Sequence, residues 1–307
     1  MSSTYPSYLN LLEGERLKAR ALEAAQLLRK CTLCPRKCGV DRTAGEVGEC
    51  GAGLRAMVSS YNDHHGEEPP ISGLRGSGTI FLTNCSMKCI YCQNYPISQL
   101  GHGEEVSKAE LADMMLSLQK RGCHNINFVT PTHYMPQILT GLTLAAEQGL
   151  ALPVVYNTGG YELVEVVKLL DGIVDIYMPD MRYASDEAGL KYSHVANYAK
   201  HNREAIREMH RQVGDLRIDE HGVAIRGLVI RLLVLPGSVS GTEETLEFIA
   251  KEISLGSYIS LMAQYFPAHQ AALFPPLDSR ITREEYARAF SKMQELGLSK
   301  GWAQRLP

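Results

Sequence analysis

The chain has 307 residues, room for one large domain with an appendage or for two domains. Apolar residues are 45% and charged residues 21%, the balance of a soluble globular enzyme, and a net charge of −3 supplies no basic field to attract nucleic acid. No run of about eighteen apolar residues is present to span a membrane, and residues 1–6 lack the basic-then-apolar order of a secretory signal; the eight cysteines therefore read as reduced thiols and metal ligands in a cytoplasmic protein.

Residues 8–30 are expected to form a helix. Leu9, Leu12, Leu17, Ala21, Ala24 and Leu28 recur at helical spacings, with Glu13, Arg16 and Arg20 between them. The helix leads into a glycine-rich knot, residues 31–53, in which Cys31, Cys34, Cys38 and Cys50 have the spacing C-x2-C-x3-C-x11-C. Four thiolates so close in sequence suit a closed metal site. Structural zinc takes four ligands and favours C-x2-C pairs, and an auxiliary four-iron cluster also uses four cysteines. Spacing does not separate these two, and Arg29, Lys30, Arg36, Lys37 and Arg42 would offset the negative charge of either. An extended, proline-containing bridge is expected over residues 63–72.

From Gly78 onward strand-like and helical stretches alternate. Strands are expected at 79–83, 126–130, 154–157, 173–178, 227–235 and 258–263. Helices are expected at 108–120, 137–147, 162–170, 187–211, 243–253 and 283–295, the first opened by a capping-box pair, Ser107 and Glu110. Residues 216–226 look like a hairpin ahead of the fifth strand. Six β-then-α units imply an α/β fold with a parallel sheet and crossover helices, either doubly wound or barrel-like.

The first of these strands runs into the segment 84–94, NCSMKCIYCQN, with Cys85, Cys89 and Cys92 at C-x3-C-x2-C. Soft thiolates select zinc, copper(I) or iron–sulfur. Three are one short for structural zinc, whereas three thiolates can hold three corners of a four-iron cube and leave the fourth iron without a protein ligand. This loop, placed directly after a strand, resembles the radical S-adenosylmethionine (radical SAM) superfamily. The resemblance implies an open, partial (β/α)6 barrel over residues 71–307, preceded by an N-terminal helix, cysteine-rich metal-binding segment and linker over 1–70. Ligands are then expected at the C-terminal ends of the strands. Within the superfamily the chain is similar to the pyruvate formate-lyase activating enzymes, in particular their PflX-like homologues, which the CTLCPRKC knot and the EEPPISG approach fit best.

The resemblance carries over residue by residue. Tyr91, in the aromatic position of the cysteine loop, is implied to pack beside the adenine. The second strand ends Val129-Thr130-Pro131, where relatives place a Gly-Gly-Glu element for the methionine amino group; Thr130 is left as the candidate there. Asn157 belongs to a polar-polar-Gly turn at the end of the third strand. Asp180 and Arg182 resemble an Asp-x-Lys pair with arginine in place of lysine. Arg231, in an Arg-hydrophobic-Pro-Gly strand, is implied to hold the methionine carboxylate, a bidentate task that suits a guanidinium. His269 closes a Pro-x-His ending near the nucleotide. No catalytic residue beyond the cluster ligands is implied.

The implied chemistry is reductive cleavage of S-adenosylmethionine at a [4Fe-4S] cluster to a 5′-deoxyadenosyl radical, which abstracts hydrogen from a substrate. An electron donor such as flavodoxin or ferredoxin would be a partner, and a glycine of a glycyl-radical enzyme is one target. Another peptide or a small metabolite is an alternative target. A non-catalytic iron–sulfur electron carrier and a zinc-based interaction module are readings from other classes. The electron carrier needs neither Arg231 nor Tyr91.

Overall fold

The computed structural model describes residues 5–306. Met1–Thr4, part of the segment read as leaderless, lie outside them. Ten strands form one mixed sheet: β1 (Ala56–His64), β2 (Ser77–Leu82), β3 (Glu104–Val106), β4 (Ile126–Val129), β5 (Val154–Thr158), β6 (Ile176–Pro179), β7 (Arg217–Ile218), β8 (Ala224–Leu233), β9 (Tyr258–Met262) and β10 (Gly301–Ala303). Their order is β10-β9-β8-β6-β5-β4-β2-β1-β3, with β7 paired to β8 off that path. The run from β2 through β4, β5, β6, β8 and β9 to β10 is parallel. These strands are nearly continuous apolar stretches, as a parallel sheet covered on both faces requires; Val154–Thr158 is buried at every position.

The helices are α1 (Arg16–Gln26), α2 (Pro69–Ser72), α3 (Tyr95–Ser98), α4 (Lys108–Lys120), α5 (Met135–Glu147), α6 (Val164–Lys168), α7 (Asp186–Ser193), α8 (Tyr198–Val213), α9 (Thr242–Glu252) and α10 (Arg283–Glu295). Both α4 and α10 open with full capping boxes, Ser107 with Glu110 and Thr282 with Glu285. The core unites Leu17, Ala21 and Ala24 of α1 with the sheet and its flanking helices.

Several elements differ from the sequence expectation. The stretch 8–30 is two 3-10 turns followed by α1, because Gly14 and Glu15 adopt positive φ and break the helix. The stretch 187–211 is two helices, separated where His194 and Asn197 turn left-handed. The bridge 63–72 is not extended throughout. Its start belongs to β1, which pairs antiparallel with β2, and its end is α2, opened by Pro69 in the first turn. The 216–226 hairpin is present as β7 and the start of β8.

Candidate functional site

The end of β2 makes the cysteine loop. Asn84 takes a left-handed conformation (φ 64°) immediately before Cys85, turning the chain off the strand. Asparagine tolerates that conformation better than most residues, and its Nδ2 donates to the Tyr134 hydroxyl at 3.0 Å. The loop is then clamped from three sides. Lys88 and Ile90 donate their N–H groups to the carbonyls of Ser193 and Tyr192, at 3.2 and 2.9 Å, and Gln270 N–H donates to the Ile90 carbonyl at 2.8 Å. Gln99 Nε2 donates to the Cys89 carbonyl at 2.9 Å.

Each of the three sulfurs has a hydrogen-bonding neighbour. Met87 N–H donates to Cys85 Sγ at 3.3 Å, the Ser193 hydroxyl donates to Cys89 Sγ at 2.9 Å, and the Ser98 hydroxyl lies 3.1 Å from Cys92 Sγ. Donors aimed at sulfur favour thiolate over thiol. Burial opposes them, pushing the Cys85 and Cys89 thiols up, while Arg182 pulls Cys89 back. A soft metal resolves this conflict, because ligation removes the thiol proton and neutralises the sulfur. The donor set therefore fits an iron–sulfur cluster. Ser98 and Ser193 carried no sequence signal: one follows in a short helix, the other is more than a hundred residues away.

Beside the loop lies a cavity lined by Tyr91, Cys92, Asp180, Arg182, Arg231 and Gln264, among others. The structure thus brings together four of the expected nucleoside-binding residues with a cluster cysteine. Asp180, at the end of β6, accepts from Arg182 Nη2 at 2.6 Å and from Arg231 Nε at 2.8 Å. Glu67, which the sequence reading passed over, stands 3.7 Å from Arg231 Nη1 and accepts from Asn127 Nδ2 at 3.1 Å. Burial pushes the Glu67 carboxyl up to about 7, against the pull of Arg231. Arg231 is therefore held between two carboxylates, as a charge inside an apolar strand requires. Arg182 is different: its Nε is buried and has no acceptor. Arg182 also lines the cavity, where a guanidinium fits an anionic group on a ligand.

Tyr91 is 3% exposed and meets Tyr265 and Tyr183 edge-on, at 5.9 and 6.4 Å between ring centroids. Gly159 sits between the loop and Arg182; a Cβ there would stand 3.1 Å from Met87 Sδ. Gly160 is obligatory, since its φ is 76° and a Cβ would collide with the Asp180 carbonyl at 2.2 Å. Thr130, Asn157 and His269 do not line this cavity. Thr130 has a left-handed backbone (φ 59°) at the end of β4, and its N–H donates to the Asn157 carbonyl on β5 at 2.9 Å. His269 stacks on Tyr95, just beyond the loop, with 4.7 Å between centroids.

The knot lies behind the loop. Cys31, Cys34, Cys38 and Cys50 line one small cavity with Arg42 and His133. Two backbone bonds fold the knot on itself, Cys31 N–H to the Val40 carbonyl and Gly39 N–H to the Cys31 carbonyl. Arg42 is 1% exposed and staples it, donating to the carbonyls of Gly53 and His133. Cys123, the remaining cysteine, is a buried core residue.

Over 90% of its length the chain is 30% identical to an uncharacterized protein of Methanocaldococcus jannaschii, covering 77% of that protein. A radical SAM methyltransferase from Sphaerobacter thermophilus has a similar fold, with a TM-score of 0.50 over 96% of this chain and 93% of that one at 16% identity. SuiB of Streptococcus suis bound to its precursor peptide aligns with a TM-score of 0.47 at 12% identity, over 72% of this chain and 46% of that one. The radical SAM superfamily itself matches residues 79–249, a stretch that contains the cysteine loop, Asp180, Arg182 and Arg231 and leaves the knot outside. The chain belongs to the radical SAM superfamily, whose members bind a [4Fe-4S] cluster and S-adenosylmethionine.

Proposed function

We propose that Cys85, Cys89 and Cys92 carry the [4Fe-4S] cluster at which this chain cleaves S-adenosylmethionine, and that the target is a glycine Cα in a glycyl-radical enzyme. In this reading the chain is a PflX-like relative of the pyruvate formate-lyase activating enzymes, its sheet is the partial (β/α)6 barrel, and it works in the cytoplasm with a flavodoxin or ferredoxin as reductant. When bound, the cluster and nucleoside together supply one-electron reduction of the sulfonium and a 5′-deoxyadenosyl radical that takes a hydrogen atom.

The chain's own residues do the rest by positioning and exclusion. Ser193, Ser98 and the Met87 N–H steady the three sulfurs. Arg231, with Arg182 beside it on the cavity wall, is offered to the methionine carboxylate, and Asp180 holds the two guanidinium groups at a fixed separation. Tyr91 and the tyrosines packed on it wall the site against water, which a reactive carbon radical requires. The observation that carries this reading is the single cavity shared by Cys92, Tyr91 and the Asp180–Arg182–Arg231 cluster.

The test is direct. Chain loaded anaerobically with iron and sulfide, then reduced with dithionite, is expected to turn S-adenosylmethionine into 5′-deoxyadenosine. A glycyl-radical enzyme deuterated at its glycine Cα is expected to pass deuterium into that product. Product without deuterium would leave cleavage standing and remove the glycine assignment. No product from chain with an intact cluster would remove both.

A further inference from the structure

The knot lies outside the superfamily match, which begins only at residue 79. Its geometry asks what it holds. Cys31, Cys34, Cys38 and Cys50 come from three turns of the knot and surround one cavity. Cys38 Sγ is brought so near the backbone of residue 48 that a Cβ there would stand 2.9 Å from it, so only Gly48 leaves the sulfur its place. Four sulfurs around a space, each able to hold its own metal atom, suit a polynuclear cluster.

A second observation points to the same cavity. His133 is 1% exposed and lines it. Its Nε2 lies 2.8 Å from the Thr83 carbonyl, which can only accept, so Nε2 carries the hydrogen. Its Nδ1 is then a bare lone pair, buried and without a partner. An imidazole with one nitrogen donating to a backbone carbonyl and the other lone pair unused is the arrangement found beside metals. Arg36 and Arg42 supply positive charge at the cavity wall, which offsets the negative charge of a four-thiolate site.

We infer that the four knot cysteines bind a second four-iron cluster, seated directly against the first. Three contacts make the seam. Arg36 Nε donates to the Ser86 carbonyl at 2.5 Å. His133 Nε2 donates to the Thr83 carbonyl. Gly51, next to Cys50, lies so close to Asn84 that a Cβ would stand 3.1 Å from its Oδ1. Residues 83, 84 and 86 flank Cys85, so the wall of one cluster cavity is the root of the other cysteine's loop.

The experiment uses the full chain, reconstituted anaerobically with iron and sulfide, beside a Cys85→Ala, Cys89→Ala, Cys92→Ala variant and a Cys34→Ala, Cys38→Ala variant. Metal and sulfide analysis is expected to give about eight iron and about eight sulfide per chain for the parent and about four of each for the loop variant. After dithionite reduction, the electron paramagnetic resonance of the parent is expected to show broadening from two adjacent spins that is missing from the loop variant. The loop variant alone decides the matter should the knot variant fail to fold. About one zinc and no iron in it would overturn the inference, as would neither metal. A narrow parent spectrum at full iron loading would overturn the seating of the two clusters side by side. Neither result depends on cleavage of S-adenosylmethionine.

Discussion

The loop over residues 84–94 and the knot over residues 31–53 both gather cysteines, and they do so by opposite means. The loop hangs from the end of β2 and is held by distant parts of the chain, Tyr192 and Ser193 at the end of α7 and Gln270 after β9. The knot holds itself, through the Cys31–Val40 and Gly39–Cys31 bonds, and is pinned from inside by Arg42. Cys92 of the loop borders a cavity that Arg182 and Arg231 also line. The knot's cavity is small and walled by Arg42 and His133. One arrangement leaves room for a ligand beside its cysteines and the other leaves little, which is the difference expected between a reaction centre and a closed metal site.

The largest way to break this contrast is to remove a loop sulfur. Cys89→Ala is expected to reduce 5′-deoxyadenosine formation to background while leaving the knot iron in place, measured by product analysis alongside iron content. Arg42→Ala attacks the other side. It strips partners from the carbonyls of Gly53 and His133, and a chemical denaturation curve should show a loss of about 2–5 kcal/mol.

Glu162 lies between the two regions, accepting from Thr132, next to His133, and from Thr158, next to Gly159. Burial pushes its carboxyl from 4.5 up to about 7, against the hydrogen bonds from Thr132 and Thr158. Its pKa is higher folded than unfolded, so its stabilisation is complete below the unfolded value and is lost as pH rises through about 7. Between pH 5 and pH 8 stability should fall by about 2–3 kcal/mol from this group. Glu162→Gln should flatten that part of the pH–stability curve.

Smaller effects sharpen the contrast within the loop. Arg182→Gln should weaken S-adenosylmethionine binding by about tenfold to a hundredfold, by calorimetry on loaded chain, with iron content unchanged. Ser193→Ala removes one donor from Cys89 Sγ. It should lower the loop cluster's potential on the order of tens of millivolts, by redox titration, without altering the knot's signal.

What could be read beforehand follows from how local each cause is. The parallel strands were legible because their burial on both faces leaves runs such as Ile126–Val129, and α4 because Ser107 and Glu110 sit three residues apart. The cysteine spacings were legible for the same reason. The breaks at Glu15, His194 and Asn197 were not, since left-handed turns at non-glycine residues leave no compositional mark. Nor was β1, whose half-buried residues end in a polar stretch that resembles a linker. Ser193 on Cys89, Glu67 on Arg231 and His133 on the knot are contacts across 104, 164 and about 95 residues of chain, visible only once folding has brought them together.

On the proposed reading the loop leaves one iron free to hold the nucleoside. Electron–nuclear double resonance on the reduced Cys34→Ala, Cys38→Ala chain, with S-adenosylmethionine labelled at its amino nitrogen and carboxylate, reads that contact itself. Hyperfine coupling from the labels to the cluster is the predicted result. A fully loaded, reduced cluster that shows no coupling to either label would contradict it.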